Sequence, residues 1–398
     1  MVAALVEEIN VYSLAIGEWL LRRLGSFAAV IGFCLLVAFT LTIAAAGWFF
    51  PINNWDMFAY LASAHEATGV TDPVALHAYA YETMRANVSE GDFTVLTQDR
   101  EYRIRQYTDP AAFYTMLGFY RVKLLYVETA AWLSGYVDGY TALKLLSVVP
   151  SVLIGFIVTL WLVKERALHL APLAVALLVT ALFGDVSREG TPDAISSLAF
   201  IAAIFAFLAR REGLVFGLLV LTFLARPDHL AYVGVLMVVS LMLGQRSWGT
   251  IAAFFVSLAL YVPMTKAGGH PGWWTHFYFT HVEFVPTLAG FDPDFSIVTY
   301  LKTQMRVLVR SLVEETWLAV MIIGCFAWWQ MVLRGVRLSS RETCILVATV
   351  LAIGAKLVVF PLHETRFWFP YLIVFGMVLI SAMRYVAFFP KSLSRVHG

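Results

Sequence analysis

Apolar residues run along this chain in long blocks broken by short polar punctuation. The first block, roughly 27–50, is free of charge and long enough to cross a bilayer, which takes about 20 residues. Nine more follow, at roughly 145–163, 170–184, 194–209, 213–225, 230–244, 248–264, 316–333, 343–361 and 367–385. The pattern predicts ten spanning helices. Several blocks hold only about 13 to 16 residues, so their helices should run past their polar ends or be embedded in protein.

Two stretches interrupt the alternation. One runs from 51 to 144 and the other covers about 265–315. Within the first, "AAFYTMLGFYRVKLLYVETAAWLSGYV" is apolar enough to span, but Arg121, Lys123 and Glu128 lie near its middle. Charges at mid-bilayer depth cost several kcal/mol each. Surface helices, lying flat or dipping in, are therefore expected across 51–144. Ahead of the first block, "VEEINVYSLAIGEWLLRRLG" reads as an amphipathic helix on the membrane surface. Its early glutamates and the lack of a small-residue cleavage site argue against a secretory signal. The expected organisation is a cytoplasmic surface helix at 1–25 and a single transmembrane domain at 26–398, with outer segments at 51–144 and 265–315.

Basic residues set the orientation. Arg22 and Arg23, "VKERALH", "ARREG", "GQRSW", "RGVRLSSR" and "PKSLSRVHG" all fall on one side of the predicted alternation. That side is assigned to the cytoplasm, which puts both termini there.

Composition agrees with the blocks. Of 398 residues, 60% are hydrophobic and 14% charged, against about 25% charged in soluble domains. The chain reads as an all-α, multi-pass membrane protein, with a bacterial inner or cell membrane as the expected location. A net charge of +1 gives no field for nucleic acid. Cys34, Cys325 and Cys344 sit in apolar runs and offer neither a disulfide framework nor metal spacing. No structural metal and no cofactor are expected.

The chemistry-bearing residues then sort onto the outer face. Asp56 follows the first block in "NNWDMFAYL"; it can cap the next helix, although Asn53 and Asn54 offer caps as well. "GDVSREGTPD" holds Asp185, Arg188, Glu189 and Asp193, the last placed to favour the dipole of a Pro-started helix. "ARPDHL" pairs Arg226 with Asp228. "PLHETRFWFP" brings His363, Glu364 and Arg366 to a helix mouth, where an arginine can also snorkel to the interface. Lys356 lies inside the ninth block, and an intramembrane cation is a functional-site hypothesis by default. Lys302, Arg306 and Arg310 form an i, i+4, i+8 stripe suited to an anionic lipid, or to ordinary headgroup attraction. Trp273 and Trp274 open an aromatic block that can be an interfacial belt or a platform for sugar rings. Within it, His276 and His281 have the wrong spacing for a helical metal pair.

A carboxylate beside cations at the membrane boundary suits transfer from a lipid phosphate donor. Arginine or lysine neutralises the departing phosphate, and the carboxylate takes the acceptor hydroxyl's proton. Orientation at the interface supplies part of the rate. Asp56 is the expected base.

In these motifs the chain resembles the GT-C superfamily of polyprenyl-phosphate-sugar-dependent membrane glycosyltransferases. The resemblance rests on the acid in "NNWDMFAYL", the long first outer loop, "SREGTPDAISSL", "RPDHL" and the late "HETRFWFPYL". It implies Asp56 as catalytic base, with Asp193, Glu189 or Asp185 as second acid or acceptor-binding group. It implies phosphate binding by Arg366, with Arg226, Lys356, Arg188 or His363. Arg306, Arg310, Trp273 and Trp274 would offer a surface to the donor lipid or sugar. The expected partners are a polyprenyl-phosphate sugar, a glycan or lipid acceptor, and membrane lipids. Many members carry two adjacent acids in the first loop, whereas here Trp55 and Met57 flank a single Asp56. No large soluble domain is expected after the tenth block, which favours single-sugar transfer over protein glycosylation. The rival readings are a transporter or flippase for a lipid-linked substrate, a lipid-linked glycan ligase or polymerase, and a membrane scaffold.

Overall fold

The computed structural model describes residues 11–13, 16 and 27–384. The surface helix expected at 1–25 falls almost wholly outside the described residues, as does the basic segment beyond 384. The architecture is all-α, and no strand forms among the described residues.

All ten apolar blocks are helical. The first is α1 (Ala28–Phe49). It buries one stripe, Gly32, Leu36, Thr40, Ala44 and Gly47, and leaves the rest of its apolar surface open. Small residues there let neighbours approach closely. A Cβ on Gly47 would lie 2.6 Å from the Ser187 carbonyl oxygen.

Seven short helices follow: α2 (Asp56–Ala67), α3 (Pro73–Asn87), α4 (Glu90–Gln98), α5 (Glu101–Thr108), α6 (Pro110–Met116), α7 (Gly118–Arg121) and α8 (Leu124–Ser134). Their boundaries are written in the sequence. Asp72 caps α3 and Asp109 caps α6, each followed by a proline at the first helical position. The seven enclose their own core around Phe58, Leu61, Tyr81, Met84, Phe113 and Tyr126. The tempting segment 111–137 breaks into pieces of 7, 4 and 11 residues, none of spanning length.

The main bundle comprises α9 (Gly139–Lys164), α10 (Ala171–Thr180), α11 (Phe183–Arg188), α12 (Asp193–Leu208), α13 (Glu212–Ala225), α14 (Leu230–Met242), α15 (Trp248–Ala267), α16 (Trp273–His281), α17 (Ile297–Val313), α18 (Trp317–Leu333), α19 (Ser340–Val359) and α20 (Phe369–Met383). Helices α1, α9, α15 and α19 are long and apolar enough to cross a membrane. Helices α17 and α18 qualify only as a pair, and they meet at a 75° bend. The remaining apolar helices are shorter. Two of them, α12 and α20, are buried on nearly every side, so they are apolar all round because protein surrounds them.

The helices alternate in direction, so their connections collect at two ends. The seven-helix unit, the 181–192 and 226–229 turns and the 360–368 segment lie at one, here called the loop end. The turns at 165–170, 209–211, 243–247 and 334–339 lie at the opposite end.

Candidate functional site

The chain leaving α1 is stitched to the turn between α11 and α12. Ile52 N–H donates to the Arg188 carbonyl at 2.9 Å, Arg188 Nε donates to the Phe50 carbonyl at 2.7 Å, and Ile52 bridges Glu189. Tyr140 O–H donates to Asn53 Oδ1 at 2.8 Å. This staple places Asp56, first residue of α2, beside the 189–193 turn. Asp56 does not cap: Trp55 holds the N-cap position, with helical dihedrals and no side-chain cap. The Asp56 carboxylate instead accepts the Tyr120 hydroxyl at 2.7 Å.

Alternating charges line the loop end beside it. Lys356 Nζ is 2.6 Å from Asp228, whose other oxygen takes Arg226 Nε at 3.1 Å. Arg226 also pairs with Asp193, at side-chain exposures of 11% and 4%. Asp193 lies 4.0 Å from Arg366, which pairs with Glu189 and, at 2.6 Å, with Glu364. Thr191 O–H donates to Asp193 at 2.8 Å, and the Arg226 and Arg366 guanidiniums both lie 4.7 Å from the centre of the Phe367 ring. Four separate segments thus supply one ladder of three cations and four carboxylates, a formal charge of −1. Burial, opposed by Arg366, raises the Glu189 carboxyl to about 7, so one proton on Glu189 brings the ladder to zero.

The first loop adds two residues that no sequence motif assigned to the site, Lys123 and Tyr120. Lys123, between α7 and α8, donates to the Phe119 carbonyl at 2.7 Å and lies 4.8 Å from the Tyr120 ring and 5.5 Å from the Tyr60 ring. It has no carboxylate within ion-pair distance. Burial, followed by the nearby Arg226 charge, lowers its pKa to about 8, against the pull of Asp56, Asp228 and Asp193. Asp56 likewise has no cation within ion-pair distance, although its charge helps hold the Arg366 guanidinium protonated against the cost of burial. Among the charges gathered here, Asp56 and Lys123 are the two without an ion-pair partner, and Tyr120 touches both. The available signal was the pair Arg121 and Lys123 inside an apolar run. Arg121 proves to be tied to Glu66 at 2.5 Å, which leaves Lys123 for the site.

Of the residues expected at the site, Glu189, Asp193, Arg226, Lys356 and Arg366 converge in the ladder and Asp56 adjoins it. Three others do not. Asp185 takes part through its backbone, its carbonyl accepting from Glu189 N–H. Arg188 closes the end of α1 as described. His363 feels the charges of Arg310, Glu364, Glu315 and Glu314 and forms no ion pair with the ladder. Arg306, Arg310, Trp273 and Trp274 form a separate locus. Trp273 Nε1 donates to the Val359 carbonyl at 2.7 Å, Trp274 Nε1 to the Asp294 carbonyl at 3.1 Å, and Arg310 pairs with Glu314 at 2.8 Å.

Between the two loci, His270 Nε2 and His276 Nδ1 lie 3.1 Å apart, and His276 stacks on Phe119. Burial lowers His270 to about 4 and His276 well below its ordinary value, so both rings are neutral at pH 7. Among the described residues, no three His, Cys, Asp or Glu side chains converge to hold a metal ion.

No protein-family model, curated protein or solved structure matches the chain.

Proposed function

We propose that this chain is an integral membrane glycosyltransferase of the GT-C type. It moves a sugar from a polyprenyl-phosphate donor to a hydroxyl of a glycan or lipid acceptor. In this reading ten helices span the membrane, both termini are cytoplasmic, and the loop end faces away from the cytoplasm. The observation that carries the proposal is the pair of charges without ion-pair partners, Asp56 and Lys123, sharing Tyr120 beside the ladder.

Asp56 is the general base. Tyr120 holds one carboxylate oxygen and leaves the other open to an acceptor hydroxyl. As the acceptor oxygen bonds to the anomeric carbon, its proton passes to Asp56. The bond from that carbon to the phosphate oxygen breaks, and its electron pair leaves with the phosphate. A single displacement of this kind inverts the anomeric centre. Lys123 is the cation free to meet the phosphate, and the Arg226 and Arg366 charges lie close enough to stabilise it as it departs. The ladder fixes those guanidiniums in place, so little reorganisation accompanies the reaction. The site lies at a membrane boundary, where a lipid-borne donor is confined and already oriented.

The test is transfer by the purified full chain, using a panel of polyprenyl-phosphate sugars and soluble hydroxyl acceptors. Product should form with the native chain. Asp56→Asn should cut product formation by about 10²- to 10⁴-fold and still bind the donor. Undiminished turnover by Asp56→Asn ends the proposal.

A further inference from the structure

Helix α17 is the most amphipathic of the described helices, and its three stripes face three different surroundings. Thr303, Val307 and Ser311 are buried against the protein, while Gln304 Nε2 donates to the Leu357 carbonyl at 2.9 Å and Tyr300 O–H to the Val358 carbonyl at 2.5 Å. These two donors satisfy carbonyls that the last turn of α19 leaves open. Leu301, Met305, Leu308 and Leu312 form the second stripe, 43% to 62% exposed. Lys302, Arg306 and Arg310 form the third. A soluble protein that turned four large aliphatic side chains outward on one helix would aggregate, so the apolar stripe belongs against hydrocarbon.

Both ends of α17 lie at the loop end. Near its start, Tyr300 meets the last turn of α19. Just past its end, the Thr316 and Trp317 N–H groups donate to Thr365 Oγ1, each at 3.2 Å. Thr365 belongs to the connection that follows α19, so α17 begins and ends at the same level. Its 17 residues cover about 25 Å along that surface. The 75° bend into α18 is where the chain turns from that surface into the bundle.

The cationic stripe is poorly matched by protein. Lys302 has no carboxylate within ion-pair distance, and Arg306 donates to the His281 carbonyl at a long 3.3 Å. Arg310 is shared with Glu314. An apolar recess of about 380 Å³, bounded by Trp273, Ile297, Tyr300 and Val358, opens beside the first turn. We infer that α17 lies in the plane of the membrane and binds anionic phospholipid, with headgroups on Lys302 and Arg306 and the Leu301–Leu312 stripe among the acyl chains. The charge selects the lipid and the recess accommodates a chain. Neither depends on the transfer chemistry proposed above.

Two measurements on the full chain test this. The native cysteines are replaced by alanine, and single spin labels are placed through Val298→Cys, Leu301→Cys, Met305→Cys, Leu308→Cys and Leu312→Cys in nanodiscs of phosphatidylcholine and phosphatidylglycerol. Equal depth at all five positions is expected. A gradient of about 1.5 Å per residue means that α17 is half of a broken span and overturns the proposal. The second measurement is retention of phosphatidylglycerol over phosphatidylcholine during detergent extraction. The double variant Lys302→Gln, Arg306→Gln should lose roughly tenfold or more of that preference. Unchanged preference refutes the headgroup site, and the depth profile of the same variant shows whether the helix has stayed in place.

Discussion

At the opposite end of the bundle, Glu212 faces Arg341; at the loop end, Asp193 faces Arg226. Both are carboxylate–guanidinium pairs, the first half-buried at its acid and the second buried on both sides, and their surroundings differ. Glu212 takes Arg341 at 2.8 Å, the Ser247 hydroxyl at 2.5 Å and Gly249 N–H at 3.1 Å, and Arg341 also donates to the Phe207 carbonyl. One acid and one base close on each other and, in doing so, join the start of α13, the N-terminus of α15, the end of α12 and the start of α19. The loop-end pair opens onto further charges of both signs, and beside it stand Asp56 and Lys123 with no ion-pair partners. A closed pair ties helices together. An extended ladder with uncompensated charges at its rim is costly to bury, and that cost is what a binding or reacting site carries.

The comparison is broken most decisively at Asp56. Asp56→Asn keeps the Tyr120 contact and the shape of the residue while removing the base. Turnover in the transfer assay should fall by about 10²- to 10⁴-fold, with the melting temperature unchanged. The reverse holds at the opposite end. Arg341→Met leaves the half-buried Glu212 with its Ser247 and Gly249 donors only and should cost about 1–3 kcal/mol in denaturant unfolding. Turnover per folded molecule should not move. A large activity loss there, at unchanged stability, would erase the distinction between the two ends.

Glu189 sharpens it next. Its folded pKa, about 7, lies above its ordinary value of 4.5. The folded chain therefore holds this proton more tightly than the unfolded chain does. The associated stability is present below about 4.5 and is lost as pH rises toward 7, on the order of 3 kcal/mol across the window with the opposing Arg366 charge in place. Glu189→Gln should flatten that part of the stability–pH curve. An equally steep fall in the variant would assign the proton to another group.

The ten apolar blocks, the breaks at Asp72–Pro73 and Asp109–Pro110 and the collection of polar turns at one end were legible in the sequence, because periodicity and capping are local. The polar turns at 185–193, 226–228 and 363–366 were also visible, but which members meet was not. Arg188 and Glu189 are neighbours in sequence, yet one closes α1 and the other joins the ladder, a choice made by the staple at Ile52. Lys123 was seen and read as a reason against a span. Its place beside Asp56 depends on how seven short helices pack, and no pattern of residues along one of them encodes that. The exposed stripe of α17 was half legible: the cations stood out, whereas its protein-facing side is lined by Thr303, Val307 and Ser311, which carry little hydrophobic signal.

The smallest expected effect tests the first-loop charge itself. Burial lowers Lys123 to about 8 from 10.5, so the unfolded chain binds this proton more tightly. The ammonium therefore weakens the fold at neutral pH, and that penalty is relieved as pH rises from about 8 toward 10.5. Lys123→Met keeps the length of the side chain and removes the charge. It should be more stable than the native chain at pH 7 by about 1 kcal/mol, allowing for water at a half-buried amine, and its stability should not rise through that window. The same variant should bind a prenyl phosphate more weakly while binding the corresponding prenol equally well. Gain of stability with loss of phosphate affinity is the signature of a residue retained for function at a cost to the fold. Loss of both would make Lys123 a structural clamp between the Phe119 carbonyl and the two tyrosine rings, and would return the phosphate to Arg366.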